Sequence, residues 1–186
     1  INSNKLIQEE NNMNWMKKDV QTSAQMEIAW QCAPVLTGVK PSNILTLKNV
    51  SEKEVAESLK EMGISYSMLC DSGVRKVWLI YREEEILEIL GKKEYSEFLD
   101  TLGYRGFEFP QMLQIMNLRF EGYQHGSAEF PHELGIFLGY PLADVKGFIE
   151  HNGKDFLYQG YWKVYENVEE RKKMFSIYNV VKEEFI

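Results

Sequence analysis

Few side chains in this chain can do chemistry, and the most informative are cations set among apolar residues. Lys40 lies in a loop with Gly38 and Pro41, and Arg82 ends the alternating run Val74–Arg82. Arg119 falls on the inner side of a helix opened by Pro110, and Lys163 alternates with aromatic neighbours in YQGYWKVY. A cation on a mostly apolar surface needs a partner. One reading is a pocket for a carboxylate or phosphate, in which arginine donates a planar fork of N–H groups. Lys40, Arg82, Arg119, Glu133 and Lys163 are its candidate ligand-binding residues. The plain alternative is internal pairing of the cations with Glu133, Asp144 or helix C-termini. Neither GxGxxG nor GxxxxGK occurs, so no glycine-rich phosphate cradle backs the pocket.

The elements that must position these groups follow from punctuation and periodicity. Pro131 and Pro141 each suit the first turn of a helix. Phe130, Leu134, Phe137 and Leu138 give the first helix an apolar face, and Leu142, Val145, Phe148 and Ile149 give one to the second. Gly139 and Asn152-Gly153 are the stops. A helix-turn-helix reading fails on charge. The outward positions of the second helix are Ala143, Asp144, Lys146, Gly147 and Glu150, with one cation against two anions.

Upstream, the spacing predicts a helix over 22–31 that Pro34 ends near Ala33, and a strand over 44–48. Ser51 and Glu54 have capping-box spacing. Tyr66–Cys70 and Val74–Arg82 flank Asp71-Ser72-Gly73 as a hairpin whose second strand is central in its sheet. Helices follow over 83–90 and 93–102, then a longer one from Pro110 with Met112, Ile115, Met116, Arg119, Phe120 and Tyr123 inward. The stretch Phe156–Tyr165 is rich in β-formers, and a last helix carries Met174, Phe175, Tyr178, Val181 and Phe185. The sum is an α+β fold, about seven helices around a small, largely antiparallel sheet of three or four strands. A polar N-terminal arm, residues 1–20, precedes a single domain over 21–186.

Several strings together resemble a known family: CAPVLTGVKPSNIL from Cys32, LIYR from Leu79, the Pro131–Gly153 stretch and GYWKVY from Gly160. The chain is similar to a bacterial family known as domain of unknown function 3793, and the resemblance spans about residues 30–165. It implies no activity, substrate or cofactor. Its motifs contain Cys32 and His132, and although no catalytic role carries over from the family, the two residue types raise a further reading, a thiol nucleophile and its base. Against the pair, Cys32 near a helix C-terminus has a dipole that disfavours thiolate, and no third, orienting group is evident.

Composition bounds the rest. The 186 residues are 44 % hydrophobic and carry a net charge of −7, which disfavours nucleic acid and anionic membrane as partners. No run approaches the ~20 apolar residues that span a bilayer. Two cysteines, Cys32 and Cys70, give no disulfide framework, which points to a reducing cytoplasm. Position 136 is Ile where a second metal-binding histidine after His132 would stand, so no metal site is expected; His125 and His151 lack ligand spacing too. The expected function is binding of a small anionic molecule or a protein partner. The rivals are Cys32–His132 acyl or thiol chemistry and a dimeric interaction protein without a ligand.

Overall fold

The structure is a computed structural model, and it describes residues 23–184. The expected N-terminal arm and Phe185 lie outside the described residues. The chain folds as two compact units, one up to Glu83 together with Val181 onward, the other Glu84–Val180.

In the first unit, helix α1 (Ser23–Leu36) is followed by β1 (Ser42–Lys48), α2 (Glu52–Leu59) with a 3-10 turn Lys60–Met62, β2 (Ser65–Asp71) and β3 (Arg75–Tyr81). The three strands form an antiparallel sheet in the order β1-β3-β2. The central place expected for Val74–Arg82 is where β3 lies, and its residues from Val77 to Tyr81 are buried. The hairpin turn closes with Ser72 N–H donating to Arg75 O at 3.0 Å and Gly73 N–H to Asp71 Oδ1 at 2.7 Å. Gly73 has φ +80°, which an L side chain rarely adopts. The capping box also forms, Ser51 and Glu54 each accepting from the other's backbone N–H.

Helix α1 departs from expectation by running through Pro34 to Leu36. Proline removes an interior N–H donor and crowds the preceding turn. Packing outweighs that here, because Ile28, Cys32, Val35 and Leu36 form one core with Leu45, Leu47, Trp78 and Ile80 of the sheet and Val55, Leu59 and Met62 of the next helical segment. The Pro34 carbonyl then accepts from the N–H groups of Val39 and Lys40, each at 2.9 Å. One side-chain amide serves as a further strand. Gln31 donates from Nε2 to Thr46 O and accepts from Thr46 N at Oε1, both at 3.0 Å, on the edge of β1 away from β3.

The second unit is mostly helical: α3 (Glu83–Leu90), α4 (Lys93–Thr101), α5 (Phe109–Gln124), α6 (Leu134–Phe137), α7 (Leu142–Glu150) and α8 (Val168–Glu183), with the first residue of α3 and the last residues of α8 belonging to the first unit. Strands β4 (Tyr158–Gln159) and β5 (Lys163–Val164) pair antiparallel in a sheet of their own. The β-rich stretch thus adds no fourth strand to the larger sheet. Pro131 opens a tight turn rather than a full helix. The N–H groups of Leu134, Gly135 and Ile136 bond three residues back, to Pro131, His132 and Glu133, so only α6 attains α geometry. On α5 the buried side is Phe109, Leu113, Met116 and Phe120, a rotation from the expected stripe that leaves Tyr123 exposed. A second core gathers Trp162, Val164, Phe175 and Tyr178, with Tyr140 stacked on Trp162 at 4.5 Å between centroids. Among the described residues no helix is long and apolar enough to cross a membrane.

Candidate functional site

The candidate cations are each engaged within the protein. Arg82 caps the end of α1, donating from Nε to Val35 O at 2.7 Å and from Nη2 to Leu36 O at 3.0 Å. Arg119 pairs through Nη1 with Glu133 Oε1, donates from Nη2 to Leu102 O at 2.7 Å, and lies over the Tyr104 ring at 4.9 Å. Tyr104 adds a hydroxyl donated to Glu133 Oε1 at 3.2 Å, and burial together with the Glu133 charge pushes its phenol far up. Lys163 donates from Nζ to Gly153 O at 2.6 Å and sits over the Phe148 and Phe156 rings. Arg119 and Glu133 are the two that come together. Their geometry is that of a satisfied internal ion pair.

Lys40 is 3 % exposed and donates from Nζ to Asn43 Oδ1 at 2.8 Å. Burial lowers its ammonium to about 8, with the Cys32 thiol opposing the shift and the Lys182 charge adding to it. Between that value and the unfolded one near 10.5, the unfolded chain holds a proton that the folded chain has released. Stability from this group therefore rises with pH across that window. Replacing Lys40→Met is expected to remove a rise on the order of 2 kcal/mol between pH 8 and 9.5. Urea unfolding of both proteins at the two pH values reads it, and an equal pH response in the two would refute the assignment.

Cys32 is fully enclosed in the first unit's core, and burial pushes its thiol up to about 12. A thiol so placed stays protonated at neutral pH, and it is the thiolate that attacks. His132 belongs to the second unit, between the rings of Phe130 and Phe148 at 5.4 and 5.2 Å. Cys70 is buried as well. Among the described residues, no group of three or more His, Cys, Asp or Glu could hold a metal ion.

The second unit carries a cleft of about 660 Å³ that the sequence did not point to. One wall is α7, through Leu142, Ala143, Lys146, Gly147 and Glu150, with His151 just past its end; Glu94 and Tyr95 of α4 and residues between Asp155 and Arg171 line the other sides. Such concave sites with a few convergent polar groups are where small ligands bind. Its framework is Asp144, 2 % exposed, which accepts from Trp162 Nε1 and Tyr165 N at 2.7 Å and from Glu166 N at 3.2 Å. Sequence periodicity put Asp144 and Gly147 on the outer face of their helix, and the structure corrects both. Asp144 faces inward because three N–H groups of the 162–166 segment need an acceptor there. Gly147 lies under Tyr165, where an added Cβ would come within 2.5 Å of the ring. Tyr165 in turn stacks on His151, whose Nδ1 is 3.6 Å from Asp155 Oδ2, and Tyr95 Oη accepts from Leu142 N at 3.1 Å.

Arg171 closes the cleft with its guanidinium incompletely used. Its side chain is 13 % exposed, and its buried Nε–H has no hydrogen-bond acceptor. The nearest carboxylates are at ion-pair separations, Asp144 Oδ2 3.8 Å from Nε and Glu170 Oε1 3.5 Å from Nη1.

A family profile described as protein of unknown function (DUF3793) matches residues 28–186. The chain belongs to the DUF3793 family. The match takes in both compact units, so the cleft lies within the part that the family profile covers. No curated protein and no solved structure matches the chain. Membership in DUF3793 therefore brings no activity with it, and any functional reading rests on the geometry of this chain.

Proposed function

We propose that this DUF3793 protein is a binding protein, and that a small molecule with a carboxylate or phosphate docks in the α7 cleft with Arg171 as its anchor. The supporting observation is the Arg171 Nε–H, buried in the wall of a cleft of about 660 Å³ and without an acceptor. A buried donor left unmade is costly, and a planar anion accepting two parallel N–H bonds would satisfy it. Lys146, which sits over Phe98 at 5.5 Å, lines the same cleft and adds a second positive charge. This keeps the anionic ligand expected from sequence and moves its contacts away from Lys40, Arg82, Arg119, Glu133 and Lys163. Those five are internally bonded, and using them would mean breaking what they hold. Thiol catalysis by Cys32 and His132 is the weaker reading, since the thiol is sealed in a core.

The test is a thermal-shift screen against small carboxylates and phosphates. Saturation at 100 times Kd is expected to stabilise the protein by about 2.7 kcal/mol. In Arg171→Gln the affinity is expected to fall at least tenfold, and Lys146→Gln, at an exposed position, should show a smaller loss. Equal binding by the unmodified and Arg171→Gln proteins would discard the site.

A further inference from the structure

The charges around Arg171 bear on what kind of anion the cleft accepts. Its lining includes four carboxylates, Glu94, Glu150, Asp155 and Glu166, against the two cations Lys146 and Arg171. A purely anionic ligand gains the arginine fork and meets net repulsion from the rest. A ligand that also carries an ammonium group reverses the sign of that second contribution.

The two signs have places along α7. Arg171 stands beside Asp144 in the first turn, while Glu150 ends the helix and Asp155 pairs with His151 just beyond it. From position 144 to position 150 the helix rises ~9 Å at 1.5 Å per residue. The helix dipole runs in the same sense, positive at the first turn and negative at the last. Glu94 and Glu166 flank the cleft further. A linear molecule with its anion at Arg171 and its ammonium at Glu150 and Asp155 would span those poles. Three extended peptide residues cover ~10 Å.

Resting on the binding reading above, we infer that the cleft takes a short linear zwitterion, a tripeptide-sized chain with a free carboxylate at one end and a free amine at the other. The carboxylate sits on Arg171, the amine on Glu150 and Asp155, and the stacked Tyr165 and His151 rings form the surface between.

Calorimetric titration of the intact chain with triglycine, N-acetyl-triglycine, triglycine amide, glutarate and cadaverine tests it. Triglycine is expected to bind at least tenfold more tightly than either blocked peptide. Replacing Glu150→Gln together with Asp155→Asn, both exposed, should erase the preference for a free amine, with triglycine bound more weakly and N-acetyl-triglycine, relieved of two repelling carboxylates, bound at least as tightly as before. Equal affinity for triglycine and N-acetyl-triglycine, or glutarate binding best of all, overturns the zwitterion and leaves the Arg171 anchor standing. Cadaverine binding as tightly as triglycine, with triglycine binding unchanged in Arg171→Gln, overturns the anchor itself. If none of the five binds, the zwitterion is refuted, and the wider anion screen decides the anchor.

Discussion

Replacing Asp144→Ala is expected to destabilise the protein by about 4 kcal/mol, close to the loss typical when one member of a buried charged network is removed. The carboxylate is where the 162–166 segment attaches to α7. Without it, the buried Trp162 indole N–H and the half-buried backbone N–H groups of Tyr165 and Glu166 lose their acceptor. Each such donor left unmade costs roughly 1–3 kcal/mol, and the effects do not simply add. Arg171 would also lose its nearest buried counter-charge. Asp144→Asn keeps one oxygen acceptor and should lose about half as much. Urea unfolding gives the size, and amide hydrogen exchange gives the location, with protection expected to fall first at Tyr165 and Glu166. An Asp144→Ala protein within about 1 kcal/mol of the unmodified one would show that the segment is held by something else.

The pair formed by Arg119 and Glu133 is expected to respond unequally to loss of either partner. Glu133 is 5 % exposed, whereas the Arg119 side chain is 38 % exposed. Removing the arginine leaves a carboxylate buried with only the Tyr104 hydroxyl beside it, and Arg119→Leu should cost about 3–5 kcal/mol. With Glu133→Gln, the guanidinium keeps its bond to Leu102 O, its place over Tyr104 and access to water, so about 1–2 kcal/mol is expected. Combining Arg119→Leu with Glu133→Leu should recover part of the single arginine loss, because no charge is then stranded. Chemical unfolding of the three variants decides it. A double variant no more stable than Arg119→Leu alone would contradict the ion-pair account.

What could be read in the sequence depended on whether a signal was local. The Ser51–Glu54 box, the Asp71-Ser72-Gly73 turn and the central place of β3 are settled by residues within a few positions of one another, and each formed. Pro34 is a local signal that misled, since the helix it should end is held by contacts with strands and a helix further along the chain. Asp144 failed for the same reason. Helical periodicity assigned it to water, and its three donors come from residues 18 to 22 positions later, which one helix's pattern cannot announce. The α+β class and the pairing of Arg119 with Glu133 were within reach of pattern and charge. The cleft was not, because its walls come from segments far apart in the chain.

Gln31 has a consequence beyond the helix that carries it. A three-stranded sheet presents two borders whose free amide and carbonyl groups can recruit another chain into cross-strand assembly. On the β1 border the Gln31 amide already occupies both groups of Thr46, as a neighbouring molecule would. On the β2 border the register slips around Leu69, between Met68 and Cys70, which bends the strand out of line. Both borders are thus interrupted by means that need no added charge, which works against a further strand from another copy adding to this sheet.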